Sequence, residues 1–213
     1  MTPNCNPISS IFDSRECYGF ETAIRVVSIL ESAEINVRTH PLGFLQAIVI
    51  EGAREFRINF WGTSLGKPKT PNWPVHNHRF SFKSKIIFGE LEETRYSVAE
   101  CSDGIFALYA VSYNANGSTL KKIGGNNVSL TTAVINKYPS GVVYGCDSNV
   151  LHSAEASTGL TVSIMEIGKF NKSAPVVIGE PAYNAPVFQY EPHSVPLSSL
   201  RAEIVACHRS SSN

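Results

Sequence analysis

The chain has 213 residues and carries 18 Lys plus Arg against 18 Asp plus Glu, a formal net charge of zero. That length suits one β-rich unit around a single core, and an even charge balance without a basic stretch interleaved with aromatics argues against a nucleic-acid partner. No apolar run approaches the ~20 residues that span a bilayer, and the first residues, MTPNCNPISS, lack the features of a secretory signal; the expectation is a cytoplasmic protein with no membrane partner.

Residues 19–33, GFETAIRVVSILESA, space Ala23, Val26, Val27, Ile29 and Leu30 at helical intervals, which predicts an amphipathic helix that covers one face of a β-barrel. From about Phe44 the texture changes to short apolar runs: FLQAIVI, EFRINFW after a turn at Glu51-Gly52, and KSKIIFGELEETRYSV. These read as strands. More strands are predicted at GIFALYAVSY, VSLTTAVIN, SGVVYG and LTVSIMEIGKF, with turns at NANG, GGNN, YPSG and STG between them. The three prolines of GKPKTPNWP make that stretch a loop. Beyond Phe170, Pro175, Pro181, Pro186, Pro192 and Pro196 predict an irregular wrap, and PLSSLRAEIVACH predicts a short terminal helix.

Many short strands at regular spacing predict an all-β sandwich or barrel, for which the jelly roll is the relevant eight-stranded solution. The chain shows no internal repeat and no linker, so residues 1–213 are expected to form one domain. Its parts are an N-terminal helical cover (1–40), a barrel core (41–170) and a C-terminal wrap (171–213). Cys5, Cys17, Cys101, Cys146 and Cys207 are odd in number and never in a CxxC pair, which argues for reduced thiols and against a thiolate zinc site. The glycosylation pattern at Asn116, Asn127 and Asn171 has no mechanism without a secretory signal.

His76-Asn77-His78 comes after the proline-rich loop at the start of a predicted strand, where side chains at i and i+2 point to one side. His152 ends another predicted strand, SGVVYGCDSNVLH, which a rolled sheet can bring to the same point. Three neutral ring nitrogens on one face leave coordination positions open opposite, as a catalytic metal requires. The competing reading is three loop histidines that share no ligand.

Arg57 shares a strand face with Asn59, opposite Ile58 and Phe60, and is a candidate pocket cation. Arg79 and Lys83 come after the histidines and could contact a substrate carboxylate. Alternation turns Arg79 away from His76 and His78, and Lys83 equally suits a solvated position beside Glu90 or Glu92. Tyr96, Tyr113 and Tyr144 are possible acids or hydrogen-bond donors. Arg57, Lys83 and Tyr144 are the candidate catalytic groups. His40, before Pro41, reads as a structural or exposed histidine, and His193 and His208 as incidental; Trp61, Trp73, Phe80 and Phe82 suit the core or a pocket wall.

PVHNHRFSFKSKIIFGELEET, with YGCDSNVLH much later in the chain, resembles the two sequence motifs of the cupin superfamily, over roughly residues 55–170. That resemblance implies a double-stranded β-helix, with the first motif supplying His76 and His78 and the second His152. Lys83 stands about where the family's glutamate ligand falls, and Gly89 is near the expected glycine. A three-histidine set resembles the thiol dioxygenase branch, as do FRINFWG, VHNH and FGELEET in their order. The sequence departs from that branch in having Lys83 at the position of the crosslinking cysteine and Ile167 near that of the active-site tyrosine, and in lacking a counterpart of its carboxylate-clamping arginine. The phrasing THPLGF to NWPVHNHRFSF also resembles uncharacterised bacterial cupins.

The resemblance implies an Fe(II) oxygenase whose partners are O₂ and a small-molecule substrate such as an amino acid or thiol derivative. Without an arginine at the expected spacing after His152, 2-oxoglutarate is not implied as co-substrate. Imidazole also suits Zn(II), Mn(II) or Ni(II). A metal-dependent isomerase, lyase or hydrolase, or a cupin that only binds a small molecule, therefore stays open. A homodimer formed through sheet edges is possible for such folds.

Overall fold

A computed structural model describes residues 7–67, 72–114, 117–157, 159–181 and 187–211. Cys5, Asn116, Pro186 and the stretch 68–71 of the proline-rich loop lie outside the described residues. The expected helix forms as α2 (Phe20–Ser32), preceded by α1 (Ile8–Asp13), and the terminal helix as α3 (Leu197–Ser211).

Between them run β1 (Val37–Thr39), β2 (Leu45–Glu51), β3 (Arg54–Trp61), β4 (Phe80–Phe88), β5 (Glu90–Glu100), β6 (Phe106–Asn114), β7 (Gly117–Pro139), β8 (Val143–Cys146), β9 (Leu151–Ala156), β10 (Thr161–Phe170), β11 (Val176–Gly179), β12 (Val187–Tyr190) and β13 (Ser194–Val195). They make two antiparallel sheets. The first has the order β13-β1-β2-β3-β10-β4-β8 and the second β11-β6-β7-β5-β9, with β12 added against β7. The molecule is mostly β, as the sequence predicts.

Four local expectations change. KSKIIFGELEETRYSV is two strands in different sheets, because Gly89 turns the chain at φ 78°. A Cβ there would lie 2.5 Å from the Leu160 carbonyl oxygen, so only glycine fits without displacing β10's approach. GGNN is not a turn: β7 runs through it, with Gly124 at φ 72°, so that its first part pairs with β6 and its second with β5. SGVVYGCDSNVLH is β8 and β9 separated by a turn, and His152 is the second residue of β9. The segment beyond Phe170 is more regular than its prolines predict, since β11, β12 and β13 join it to both sheets.

Period-two alternation decides which side of the first sheet meets which partner. Phe56, Ile58 and Phe60 of β3, with Val162 and Ile164 of β10, pack against Ile8 and Ile11 of α1, Val26 and Leu30 of α2, and Leu200 and Ile204 of α3. Full burial of each such side chain contributes about 1.5–3 kcal/mol, so the three helices are held chiefly by this layer. The opposite face, carrying Gln46, Arg57, Trp61, Phe82 and Met165, turns toward Val111, Leu120, His152 and Ala154 of the second sheet and encloses a cavity of about 690 Å³. Among the described residues no helix is long and apolar enough to cross a membrane, and Cys17, Cys101 and Cys146 are free thiols.

Candidate metal centre

His76 and His78 lie in the extended chain just before β4, rather than within the strand. Isolated bridges anchor this segment: His76 exchanges backbone hydrogen bonds with His152 of β9, at 2.9 and 2.8 Å, and Ile178 of β11 bonds back to Val75 at 2.8 Å. The i, i+2 spacing therefore still works, because two strands of the second sheet force the segment to extend. His76, His78 and His152 bring their ligand nitrogens within 4.8 Å of one another.

Two of the three rings have their tautomer fixed by a neighbour. His76 donates from Nδ1 to the Pro74 carbonyl oxygen at 2.8 Å, and His152 donates from Nδ1 to Glu93 Oε1 at 2.9 Å. In each case Nε2 is left with its lone pair free for the cluster. The Nε2 atoms of His78 and His152 stand 3.1 Å apart, within the ~2.9–3.4 Å that two nitrogens at metal-ligand distance subtend between octahedral and tetrahedral angles. Burial pushes His76 down to about 3, with the neighbouring His152 adding to it. Burial also holds His78 well below its ordinary value, assisted by the other two imidazoles and Arg57. Neutral imidazoles are the form a metal takes up.

Glu93 is the residue the sequence reading missed. It is fully buried on β5, and its Oε2 accepts hydrogen bonds from Arg95 Nε at 2.9 Å, Tyr138 Oη at 3.0 Å and Asn136 Nδ2 at 3.5 Å while Oε1 takes His152. Burial alone would raise its carboxyl, but His152, Arg95 and Tyr138 overcome that and hold it below the usual range. A charge buried without partners costs several kcal/mol; here four donors offset that cost, and the bond from His152 Nδ1 fixes that ring's tautomer and orientation. The available signal was Glu93 itself, in phase with the buried Leu91 on ELEETRYSV.

Glu93, Cys146 and His152 form a second group with ligand atoms within 4.8 Å. Its chemistry suits a metal poorly. Glu93 is saturated with donors, His152 would have to give up its Nδ1 bond, and burial together with the Glu93 charge pushes the Cys146 thiol up to about 12. The three-histidine set is the better ligand set, and the described residues that fit a cation there include no carboxylate.

The remaining candidates divide by strand face. Arg57 lines the cavity, with its guanidinium 4.6 Å from the centroid of Phe80, which in turn stacks on His78 at 5.0 Å. Tyr144 also lines it; burial holds its hydroxyl above the ordinary value, and its ring stacks on Tyr138 at 4.0 Å. Lys83 is not brought to the site: odd-numbered positions of β4 face away from the cavity, and its side chain is exposed. Ile167, opposite Phe82 on β10, packs into the core around Trp61 and Met165. Arg79 and Tyr113 reach the cavity mouth, whereas Tyr96 bonds Ser153 Oγ at 3.1 Å outside it.

His40, read from sequence as structural or exposed, lies in the cavity wall stacked on Phe44 at 4.0 Å. Its Nδ1 accepts the Leu42 N–H at 3.3 Å. Burial, then the neighbouring His76 and Arg57, lower it to about 3. No protein-family model matches the chain, and no curated protein matches it.

Proposed function

We propose that the chain is a cupin-type metalloenzyme whose His76, His78 and His152 hold Fe(II), and that it uses O₂ to oxidise an organic substrate bound in the adjoining cavity. The observation that carries this reading is the all-imidazole set, its ligand nitrogens within 4.8 Å of one another, at the wall of a cavity that several aromatic side chains line. The two facing sheets, the glycine turn at Gly89 and the spacing of the two histidine segments support the double-stranded β-helix.

A metal held by three neutral ligands keeps its full positive charge and open positions, and supplies binding and activation of O₂ and substrate there. The chain's own residues do the rest. Glu93 keeps His152 Nδ1 protonated and its ring fixed, and Pro74 does the same for His76. Tyr144, whose phenol stays protonated, is a hydrogen-bond donor facing the cavity.

Oxygen chemistry is favoured over a proton-abstracting isomerisation or elimination by the absence of a carboxylate base among the described lining residues. The wall includes no Asp or Glu, and the free nitrogen of neutral His40 carries the proton, because its Nδ1 accepts from Leu42. The test is metal analysis of the protein as purified, and then O₂ uptake by Fe(II)-loaded protein with a panel of thiols, amino acids and organic acids. Substrate-dependent O₂ consumption with iron, and none with zinc, is expected. Stoichiometric iron without uptake for any substrate would sink the reading.

A further inference from the structure

Charge in the cavity wall is one-sided. Arg38, Arg57 and Arg79 line it, and among the described residues no acidic side chain does. Glu55, outside the lining, takes Arg57 Nε at 3.0 Å, which leaves the terminal guanidinium nitrogens. Neither Arg38 nor Arg79 has an acidic partner among the described residues. Arg79 instead lies 5.1 Å from the centroid of Phe170, another wall residue. His40 adds a neutral N–H donor at Nε2, since its Nδ1 is occupied by Leu42.

Beside aliphatic residues such as Leu42, Val111, Leu120 and Met165, the wall carries the aromatic side chains of Phe44, Trp61, Trp73 and Phe82, which offer ring faces and edges. A volume of about 690 Å³ falls in the ~300–1,000 Å³ range of pockets that enclose drug-sized ligands, and far exceeds the space a three-carbon amino acid fills. An anion entering this space meets guanidinium groups suited to bidentate binding. An ammonium group would meet three guanidinium groups and no carboxylate among the described lining residues, so only ring faces and neutral oxygens such as those of Gln46 and Tyr144 would offset its desolvation cost.

Resting on the reading of this cavity as the substrate site, we propose that the substrate is an aromatic carboxylate without an ammonium group. Its anionic end is held by Arg57 and Arg79, and its ring lies among the aromatic side chains beside the three histidines. Free cysteine and other zwitterionic α-amino acids are thereby disfavoured.

Trp61 and Trp73 line the cavity, so tryptophan fluorescence, checked by calorimetry, reports binding directly. The probes share one skeleton: 3-phenylpropionate, 3-phenylpropanamide, L-phenylalanine and 2-phenylethylamine, each titrated into metal-free and zinc-loaded protein. 3-Phenylpropionate should bind at least about tenfold more tightly than the other three in both forms, and Arg57→Gln and Arg79→Gln should each weaken it about tenfold without changing the amide. Arg57→Lys, which keeps the charge, should keep the preference for the anion.

Equal or tighter binding of L-phenylalanine or 2-phenylethylamine, failure of every probe to bind, or a full anion preference surviving both glutamine variants would each overturn the proposal. Metal content of the same preparations reports separately on the metal site. Anion-selective binding by protein that takes up no metal defeats the oxygenase reading and leaves this one standing; stoichiometric metal with an ammonium-preferring cavity does the reverse.

Discussion

At the candidate metal site, the Glu93 carboxylate fixes the orientation and tautomer of His152 beside His76 and His78. Substituting His76, His78 or His152 by Ala removes a ligand, and each variant is expected to lose stoichiometric metal in elemental analysis. Glu93→Gln is the sharper test, because it keeps an acceptor for His152 Nδ1 and removes only the charge. Loss of an outer carboxylate typically weakens metal binding ~10–100-fold, a change that chelator competition resolves; unaltered affinity would mean that Glu93 does not hold His152. The histidines were legible in the sequence because an i, i+2 pair carries its geometry with it. Glu93 was not, since its role depends on the register of β5 against β9, which sets Arg95 opposite His152 and Ala154 opposite Glu93. His40 is half-buried, stacked on Phe44 and bonded by Leu42, in keeping with a structural histidine; that it also lines the cavity shows only in the folded chain.

Two charges reaching from the first sheet pin the ends of α1, whose Ile8 and Ile11 pack in the core. Six residues cannot sustain a helix alone, and Pro7 at its start provides no side-chain cap. Glu51 of β2 accepts the Ile8 and Ser9 N–H groups at 2.6 and 2.9 Å, while the buried Lys85 of β4 donates to the Ile11 carbonyl at 2.8 Å and to that of Ser14. A negative group at the N-terminus and a positive one at the C-terminus match the helix dipole and satisfy its unpaired backbone groups. Lys85→Met, leaving two carbonyls unpaired, is expected to cost about 1–3 kcal/mol in urea unfolding, and Glu51→Gln about 1 kcal/mol, with metal stoichiometry unchanged in both. Wild-type stability in Lys85→Met would show that the clamp is inert. The contacts join positions 42 to 74 residues apart, which is why sequence periodicity shows α2 and not α1. Lys85 did leave a trace, as a charge in phase with Ile87 on the apolar side of KSKIIF.

For the whole molecule, the cavity is the joint product of both sheets and of the segment that crosses between them. β12 pairs with β7 in one sheet and β13 with β1 in the other; between them the Tyr190 hydroxyl and the His193 N–H both bond Thr39 Oγ1, at 2.7 and 2.9 Å. The space so formed leaves His40 half-buried beside Phe44, and that has a thermodynamic consequence. His40 titrates near 3 in the folded chain, chiefly through burial and then through His76 and Arg57, against ~6.5 when unfolded. Between those values the unfolded chain binds more protons than the folded one, so stability rises with pH. The stability is fully present above about pH 6.5 and is lost progressively as pH falls toward 3; the lowered carboxyl of Glu93 adds a loss of the same sign at the acid end. Metal-free protein should therefore show a melting temperature that drops steadily from pH 6.5 to 4. His40→Asn retains an acceptor for the Leu42 N–H and cannot titrate, so its melting temperature should fall less steeply over the same range. Parallel curves for variant and parent would show that His40 exchanges protons with solvent as freely in the folded cavity as in the open chain.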